Sequence, residues 1–214
     1  DLFTLDIGFT PIKKTKNYIE LIELTDVISC SPKHRENIHK YTRGKAIAVA
    51  GSSLFTGACI LAVKAAMRSG AGIVKVLAPE SLRNLYDISL TEAIVVPLVD
   101  HQSGTFLLEH IEEMLTEIEW ADVVLFGPGL QDDSLGVEWM SEVIKLINKP
   151  FILDASGFKP LIANKLMIDN LPQETILTPH YAEFSQIFNI DLKKIQKNPI
   201  EAVKSIISHL RERN

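Results

Sequence analysis

The stretch ILTPHYAEF places three polar side chains behind a short apolar run that is typical of a β-strand. These are Thr178, His180 and Glu183, and the last two are spaced His-x-x-Glu. Such a pair could bind a metal ion, act as an acid and a base, or contact a bound ligand. It could also be a hydrogen-bonded packing histidine followed by an acidic residue in the first turn of a helix.

The rest of the sequence does not favour a metal site. His180 and Glu183 provide at most two ligands, whereas zinc needs three or four. Neither His-Glu-x-x-His nor Cys-x-x-Cys occurs in the chain. The Gly-x-Ser-x-Gly motif of α/β-hydrolases does not occur either. We therefore predict that this chain binds no metal through its own side chains.

Three other apolar runs also end in small or polar residues. The loops that follow them are AGSSLFTGA, GPGLQDD and DASG. Each loop alone could be an ordinary turn, and none is a Gly-x-Gly-x-x-Gly or a Walker A motif. In open α/β sheets, however, ligands bind at the carboxyl ends of strands, and glycines let a backbone approach them closely. Together the loops predict a phosphate- or nucleotide-binding crevice, helped by the free N–H groups of the helix around Gly57.

The apolar pattern predicts a doubly wound α/β fold with a mainly parallel sheet. Strands are expected at KAIAV, GIVKVLAP, AIVVPLV, ADVVLF, PFIL and ETIL, with a helix after each one except PFIL. Pro97 predicts that its strand lies at an edge of the sheet or ends there. Residues 1–9 are also predicted as a strand, and one short helix is expected near residues 20–29.

Composition and charge restrict the classes of protein that remain. The net charge of −5 and the isoelectric point near 5.7 argue against a nucleic-acid surface. Two cysteines give no disulfide framework, so a reducing cytoplasm is expected. No apolar run is long enough to span a bilayer, and the first residues do not form a secretory signal.

The combination of HKYTRGKAIAVAGSSLFTGACILAVKAAMRSGAGIVKV, VLFGPGL, FILDASGF and ILTPHYAEF resembles the ATP- or ADP-dependent NAD(P)H-hydrate dehydratases of the ribokinase-like superfamily. The resemblance implies a three-layer fold and repair of hydrated NADH or NADPH, with ATP or ADP and Mg²⁺ as cofactors. It also implies a homo-oligomer. Family positions that contact the hydrated dinucleotide correspond to Ala58, Gly129 and His180. The pocket around them would be lined by Gly51, Thr56, Gly57, Gly127, Asp154 and Glu183.

The resemblance also implies a domain organisation. Residues 1–20 resemble the tail of a preceding epimerase domain, 21–43 would be a connector, and 44–214 an incomplete dehydratase domain. The family's Lys-Gly strand and Gly-Thr-Gly-Asp loop do not occur in these residues. The catalytic Asp is therefore expected beyond Asn214, no residue of this chain is assigned as catalytic, and these 214 residues alone are expected to be inactive. Ser156 and Gln131 stand where the family has Asp and Gly.

Two other functions are compatible with the sequence. The first is a ribokinase-like kinase that phosphorylates a small vitamin precursor. The second is a nucleotide-binding module without catalysis. A Rossmann dehydrogenase is the least favoured class, because its glycine motif and the acidic residue on the following strand do not occur.

Overall fold

The computed structural model describes residues 22–30 and 39–211. The chain separates into two compact units, 1–37 and 38–214. Within the first unit, helix α1 (Leu24–Cys30) confirms the short helix expected near residues 20–29. The strand predicted at 1–9, and with it the proposed domain tail at 1–20, lies outside the described residues.

The second unit alternates strands and helices along the chain. Its strands are β1 (Lys45–Val49), β2 (Ile73–Pro79), β3 (Ile94–Leu98), β4 (Val123–Phe126), β5 (Phe151–Leu153) and β6 (Thr175–Leu177). Its longer helices are α2 (Thr56–Arg68), α3 (Arg83–Ser89), α4 (Ile111–Glu119), α5 (Ser134–Leu146), α6 (Lys159–Ala163), α7 (Tyr181–Phe188), α8 (Leu192–Lys197) and α9 (Pro199–Arg211). Short 3₁₀ helices cover Lys40–Thr42, Glu80–Leu82, Leu108–His110, Ala155–Phe158 and Lys165–Asn170. The predicted alternation is confirmed.

The strands form one sheet in the order β3-β2-β1-β4-β5-β6, and every neighbouring pair is parallel. The chain winds outward from β1 to β3, then returns to the other side of β1 and winds outward from β4 to β6. The direction of winding therefore reverses between β1 and β4, which is where ligands bind in such sheets. Pro97 lies on the edge strand β3, as predicted.

Helices cover both faces of the sheet and give three layers. In β1, Ile47 and Val49 belong to a large core cluster with residues of α4, α5 and α6. Ala48 and Ala50 point to the opposite face and pack with Cys59 and other residues of α2 and α3. This alternation explains why the strand is apolar at every position, since both of its faces are buried.

Two sequence expectations need correction. The pattern PESLRNLYDIS predicts a helix that begins at Pro79, but Pro79 ends β2 and a 3₁₀ turn separates it from α3. The charged residues around His110 predict a solvated side chain, but it is only 4% exposed. Its Nδ1 accepts the N–H of Leu107 while Nε2 lies 2.8 Å from the carbonyl oxygen of Val99, so tertiary contacts bury it. The helices α6 and α8 have five and six residues, which show too little periodicity to be predicted.

Among the described helices, none is both long and apolar enough to cross a membrane.

Asp100 fixes the loop that follows β3. Its carboxylate is 1% exposed and accepts hydrogen bonds from the Ser81 hydroxyl at 2.6 Å and from the Gly104 N–H at 2.6 Å. The Gly104 carbonyl in turn accepts the N–H of Ser53, in the loop after β1. Burial alone would raise the pKa of Asp100, but the bonds from Ser81 and Gly104 outweigh it and lower the pKa below its ordinary value.

Replacing Asp100 by Ala should therefore lower the free energy of unfolding by about 2–3 kcal/mol at neutral pH, because buried donors lose their acceptor. Since the folded-state pKa is lowered, this stability is present above the unfolded pKa of about 3.9 and is lost as the pH falls below it. Urea denaturation at several pH values measures the difference between the wild type and Asp100→Ala. Asp87→Ala, which removes only the exposed pair with Arg83, is the control and should cost at most about 0.5 kcal/mol. Equal effects of the two variants would contradict this role for Asp100.

Candidate functional site

Four loops meet along one edge of the sheet, because β1, β4, β5 and β6 are neighbours and end at the same side. Backbone hydrogen bonds join each loop to the next. The Gly51 N–H donates to the Pro128 carbonyl at 2.8 Å, and the Asp154 N–H donates to the Phe126 carbonyl at 3.1 Å. The Thr178 N–H reaches the Leu153 carbonyl at 3.3 Å. The structure thus brings together the loops that the sequence analysis selected.

Glycines make this meeting of loops possible. Gly51 (φ +83°), Gly127 (φ +119°) and Gly129 (φ +70°) have left-handed backbones, which side chains disfavour. A methyl group on Gly127 would overlap the Asp154 carbonyl, and one on Gly129 would meet Phe55 and Ala58. These glycines accommodate neighbouring protein, and their contact with a ligand remains a prediction from the sequence.

Gly57 differs from the other three glycines. No atom lies within 4 Å of the position that a side chain on Gly57 would take. The residue is in the first turn of α2, next to Thr56 and Ala58. The N-cap of this helix is Phe55, and its side chain makes no capping hydrogen bond. The Phe55 carbonyl accepts the N–H of Ala58 at 3.3 Å, so the N–H groups of Thr56 and Gly57 are the ones left for an anion at this helix start.

Ala58 and Gly129 lie side by side at the switch point. The position of a Cβ on Gly129 is 2.8 Å from the Cβ of Ala58, which joins the first turn of α2 to the loop after β4. The ring of Phe55 beside them is 57% exposed. This contact places two of the three expected dinucleotide-contacting residues in one spot.

His180 and Glu183 form a capping box at the start of α7. The Nδ1 atom of His180 accepts the N–H of Ala182 at 3.1 Å and that of Glu183 at 3.3 Å. The Glu183 carboxylate accepts the N–H of His180 at 2.9 Å. Because Nδ1 is an acceptor, the proton of the neutral ring is on Nε2, and the side chain is 68% exposed. The His-x-x-Glu spacing is thus a helix start, and the Nε2 atom of the exposed ring lies 3.4 Å from Oε1 of Glu183.

Asp154 binds a side chain of the neighbouring loop. It occupies the N-cap position of a 3₁₀ helix, but its side chain makes no capping bond there. Its Oδ1 atom instead accepts the Thr178 hydroxyl at 2.6 Å. Ala155, which follows, has a φ of +51°, an uncommon conformation for a residue with a side chain. The contact connects the ends of β5 and β6 directly.

A cleft of about 290 Å³ lies next to His180. Its walls include Asp132, Ser156, Lys159 and Glu183. Lys159 and Asp132 form an ion pair at 3.1 Å across it, so their charges largely compensate each other. Ser156 also lines the cleft and adds a neutral polar group to its wall.

Gln131 has a structural role in the loop after β4. Its side-chain amide donates to Asp133 at 2.7 Å. Asp133 caps α5 by accepting the N–H of Gly136 at 2.8 Å. The Gly136 N–H and the Gln131 amide lower the pKa of Asp133. Gln131 thus supports the start of a helix.

The sequence analysis did not identify Asp100 and Gly104, which hold the loop after β1 through Ser53. The signal that could have indicated them is the turn sequence DHQSG, with an acid four residues before a glycine. Beneath Gly51, Cys59 and Tyr86 are fully buried. Burial raises the pKa of the Cys59 thiol to about 12, so it is a packing residue, as expected.

The fold is that of ribokinase-like proteins. A ribokinase-like superfamily protein from Enterococcus faecalis superposes with a TM-score of 0.69 over 83% of this chain and 58% of its own, at 20% identity. The ADP/ATP-dependent NAD(P)H-hydrate dehydratase of Bacillus subtilis, co-crystallized with ATP and Mg²⁺, superposes with a TM-score of 0.66. It is 26% identical, with 87% of this chain and 62% of that chain covered.

Sequence similarity then identifies the family. The sequence model of the NAD(P)H-hydrate dehydratase family matches residues 46–212. The bifunctional NAD(P)H-hydrate repair enzyme of Moorella thermoacetica is 28% identical over 170 residues, which are 79% of this chain and 32% of that enzyme. The chain belongs to the NAD(P)H-hydrate dehydratase family. It spans about a third of that bifunctional relative.

The contrast between Gly127 and Gly57 can be tested by the same substitution. Gly127→Ala should lower the free energy of unfolding by about 2–4 kcal/mol, because a methyl group at positive φ would push against the loop after β5. Gly57→Ala is the control, and it should leave stability unchanged or raise it by up to about 1 kcal/mol. Chemical denaturation measures both. A stable Gly127→Ala variant would show that the loops can separate at no cost.

Proposed function

We propose that this chain supplies the hydrated-dinucleotide site of an NAD(P)H-hydrate dehydratase. The reaction would restore NADH or NADPH from its hydrated form at the expense of ATP or ADP. The observation that carries the proposal is the family match over 46–212, which includes all four loops at the carboxyl edge of the sheet. The Bacillus subtilis enzyme, co-crystallized with ATP and Mg²⁺, supports the nucleotide.

The geometry of the edge suits an elongated ligand. Ala58 and Gly129 lie at the switch point beside β1, whereas His180 follows β6. These strands are three spacings apart in the sheet, which corresponds to about 14 Å. A dinucleotide with two ring systems can reach both places, while a compact vitamin precursor would contact only one.

Two groups of this chain would hold the ligand. The uncapped first turn of α2, at Thr56 and Gly57, would donate backbone N–H groups to the pyrophosphate. The Nε2–H of His180 would donate to an oxygen of the hydrated ring or its amide. Since the capping box fixes the orientation of His180, this donor is in place before the ligand binds.

We propose that the dehydration is a phosphoryl transfer followed by an elimination. The terminal phosphoryl group of ATP or ADP would pass to the hydroxyl of the hydrated ring, and loss of inorganic phosphate together with a proton from the adjacent ring carbon would restore the double bond. Among the residues that the structure describes, no group of three His, Cys, Asp or Glu side chains could hold a metal. We therefore propose that Mg²⁺ arrives with the nucleotide phosphates and that groups of this chain bind and orient the dinucleotide.

The name of the Moorella relative supports a combination of two repair activities in one protein. For this chain we propose a preceding epimerase domain, assembly into a homo-oligomer, and a reducing cytoplasmic environment.

The experiment that tests this function measures binding by the purified 214-residue protein. Isothermal titration calorimetry with hydrated NADH should give saturable binding, and unhydrated NADH serves as the comparison. A parallel assay measures the return of NADH absorbance in the presence of ATP and Mg²⁺. We expect binding without turnover, because Gly-Thr-Gly-Asp does not occur in the 214 residues.

One result would contradict the proposed dinucleotide site, and another would contradict only the expected lack of turnover. Phosphorylation of a small alcohol, without any binding of hydrated NADH, would indicate a vitamin-precursor kinase. Full dehydratase turnover would confirm the family activity but overturn the expectation that these residues lack the catalytic base.

His180 offers a way to separate helix capping from ligand binding. His180→Ala should lower the free energy of unfolding by about 1 kcal/mol, whereas His180→Asn retains a side chain that can cap the helix. Both variants lose the Nε2–H donor and should bind hydrated NADH about tenfold more weakly. Denaturation and calorimetry on the same samples give the two values. Wild-type affinity in His180→Asn would show that His180 acts only as a cap.

A further inference from the structure

A second cleft lies at the opposite end of the sheet from the candidate site. It has a volume of about 650 Å³ and is bounded by the turn before β1, the end of α2 and the turn before β3. Its charged lining residues are Lys40, Arg43, Arg68 and Glu92. Strand β1 has five residues, so about 17 Å separates this cleft from the loops after β1. The two sites are therefore distinct.

Three cations without an ion-pair partner surround this cleft, and this clustering distinguishes it from the rest of the described residues. Lys165, Lys193 and Lys204 also lack an ion pair, but they do not line the cleft. Across the described residues, six other cations form ion pairs with carboxylates: Lys45, Lys75, Arg83, Lys145, Lys149 and Lys159. No carboxylate of the described residues lies within 4 Å of Lys40, Arg43 or Arg68. In a chain with a net charge of −5, three unpaired cations around one cleft create a local positive field.

The turn that carries two of these cations is held firmly. Gly72 has no side chain, and the Lys40 carbonyl and Arg43 Cβ lie in the space that one would occupy. The Gly44 carbonyl accepts the N–H groups of Gly72 and Ile73 at 3.0 and 3.2 Å. The backbone of the turn at Lys40 and Arg43 thus packs against the start of β2, while their side chains are exposed.

The end of α2 does not oppose an anion strongly. Its last carbonyls carry partial negative charge, but N–H groups already occupy them. Ser69 donates to Ala65 at 2.9 Å, Gly70 to Met67 at 3.1 Å and Ala71 to Ala66 at 3.2 Å. Arg68, in the last turn, compensates the remaining negative charge of the helix end. The charged groups around this cleft therefore favour an anion.

We propose that this cleft binds a small ligand with at least two phosphate groups. The planar guanidinium groups of Arg43 and Arg68 match phosphate oxygens in pairs, and the ammonium of Lys40 adds a third charge. Glu92, on the other wall, can accept hydrogen bonds from hydroxyl groups of the same ligand. The position of the cleft, remote from the dinucleotide site, suits a regulatory or anchoring role and is independent of the proposed function.

The test uses pyrophosphate as the probe and two variants that each remove two positive charges. Arg43→Gln/Arg68→Gln changes the cleft, and Lys193→Gln/Lys194→Gln changes exposed cations on α8. Calorimetry at low ionic strength should show saturable binding that weakens at least tenfold in the first variant and is unchanged in the second. Thermal melts establish that both variants fold. Pyrophosphate should shift the amide NMR signals of Gly70 and Gly72 in the wild type.

Three results would overturn the proposal: no saturable binding by the wild type, an equal loss in both variants, or shifts confined to the first turn of α2. Titration with ADP distinguishes the source of the phosphates. Tighter binding of ADP than of pyrophosphate, lost in the arginine variant, supports a nucleotide. Equal binding of the two, lost in the same variant, supports a free polyphosphate.

Discussion

The contact between Gly127 and the loop after β5 is the constraint on which the arrangement of loops at the carboxyl ends of the strands depends. Gly127 donates its N–H to the Val49 carbonyl, while the Asp154 carbonyl lies in the space of its missing side chain. One residue thus fixes the ends of β1, β4 and β5 relative to each other. The other links follow from this alignment, because the loops must lie this close for Gly51 to bond Pro128 and for Asp154 to reach Thr178. A ligand at this edge would meet a surface whose parts cannot move independently.

The candidate site uses residues that serve structure and recognition together. His180 caps α7 through Nδ1, and that bond determines which nitrogen carries the proton and where it points. The first turn of α2 works in the opposite way, since its N-cap Phe55 satisfies none of the free N–H groups through its side chain. One helix start is closed by its own side chains and presents a directed donor, while the other stays open to an anion. This difference decides which part of a dinucleotide each would hold.

Much of the fold could be predicted because the signals are local. A strand such as KAIAV is apolar throughout since both faces are covered, and alternation with helices then requires parallel strands. The meeting of the loops was also predictable, because parallel strands end at one edge. The roles of individual residues could not be predicted. His110 looks like a surface residue until the Val99 carbonyl is placed beside it. The turn sequence DHQSG could indicate the bond between Asp100 and Gly104, but no pattern reveals that Ser81 also donates to Asp100. A sequence shows that a glycine is needed, but not whether ligand or protein fills the space beside it.

Charged side chains are paired at the carboxyl ends of the strands, whereas the cations of the second cleft, at the opposite end of the sheet, have no ion-pair partner among the described residues. This difference would determine which kind of ligand each end binds. At the carboxyl edge, Asp132, Asp154 and Glu183 are already engaged by Lys159, Thr178 and His180. These contacts reduce repulsion of a phosphate-bearing ligand, yet leave no unpaired lysine or arginine among the cleft residues to attract it. Attraction there must come from backbone N–H groups, which favour a ligand of defined shape. At the second cleft, near the amino ends of β1, β2 and β3, the unpaired guanidinium groups would attract a phosphate directly. The charge of a ligand would therefore matter more for binding there than its shape. If both proposed sites are occupied, a chain with a net charge of −5 binds anions at both ends and selects them by geometry at one end and by charge at the other.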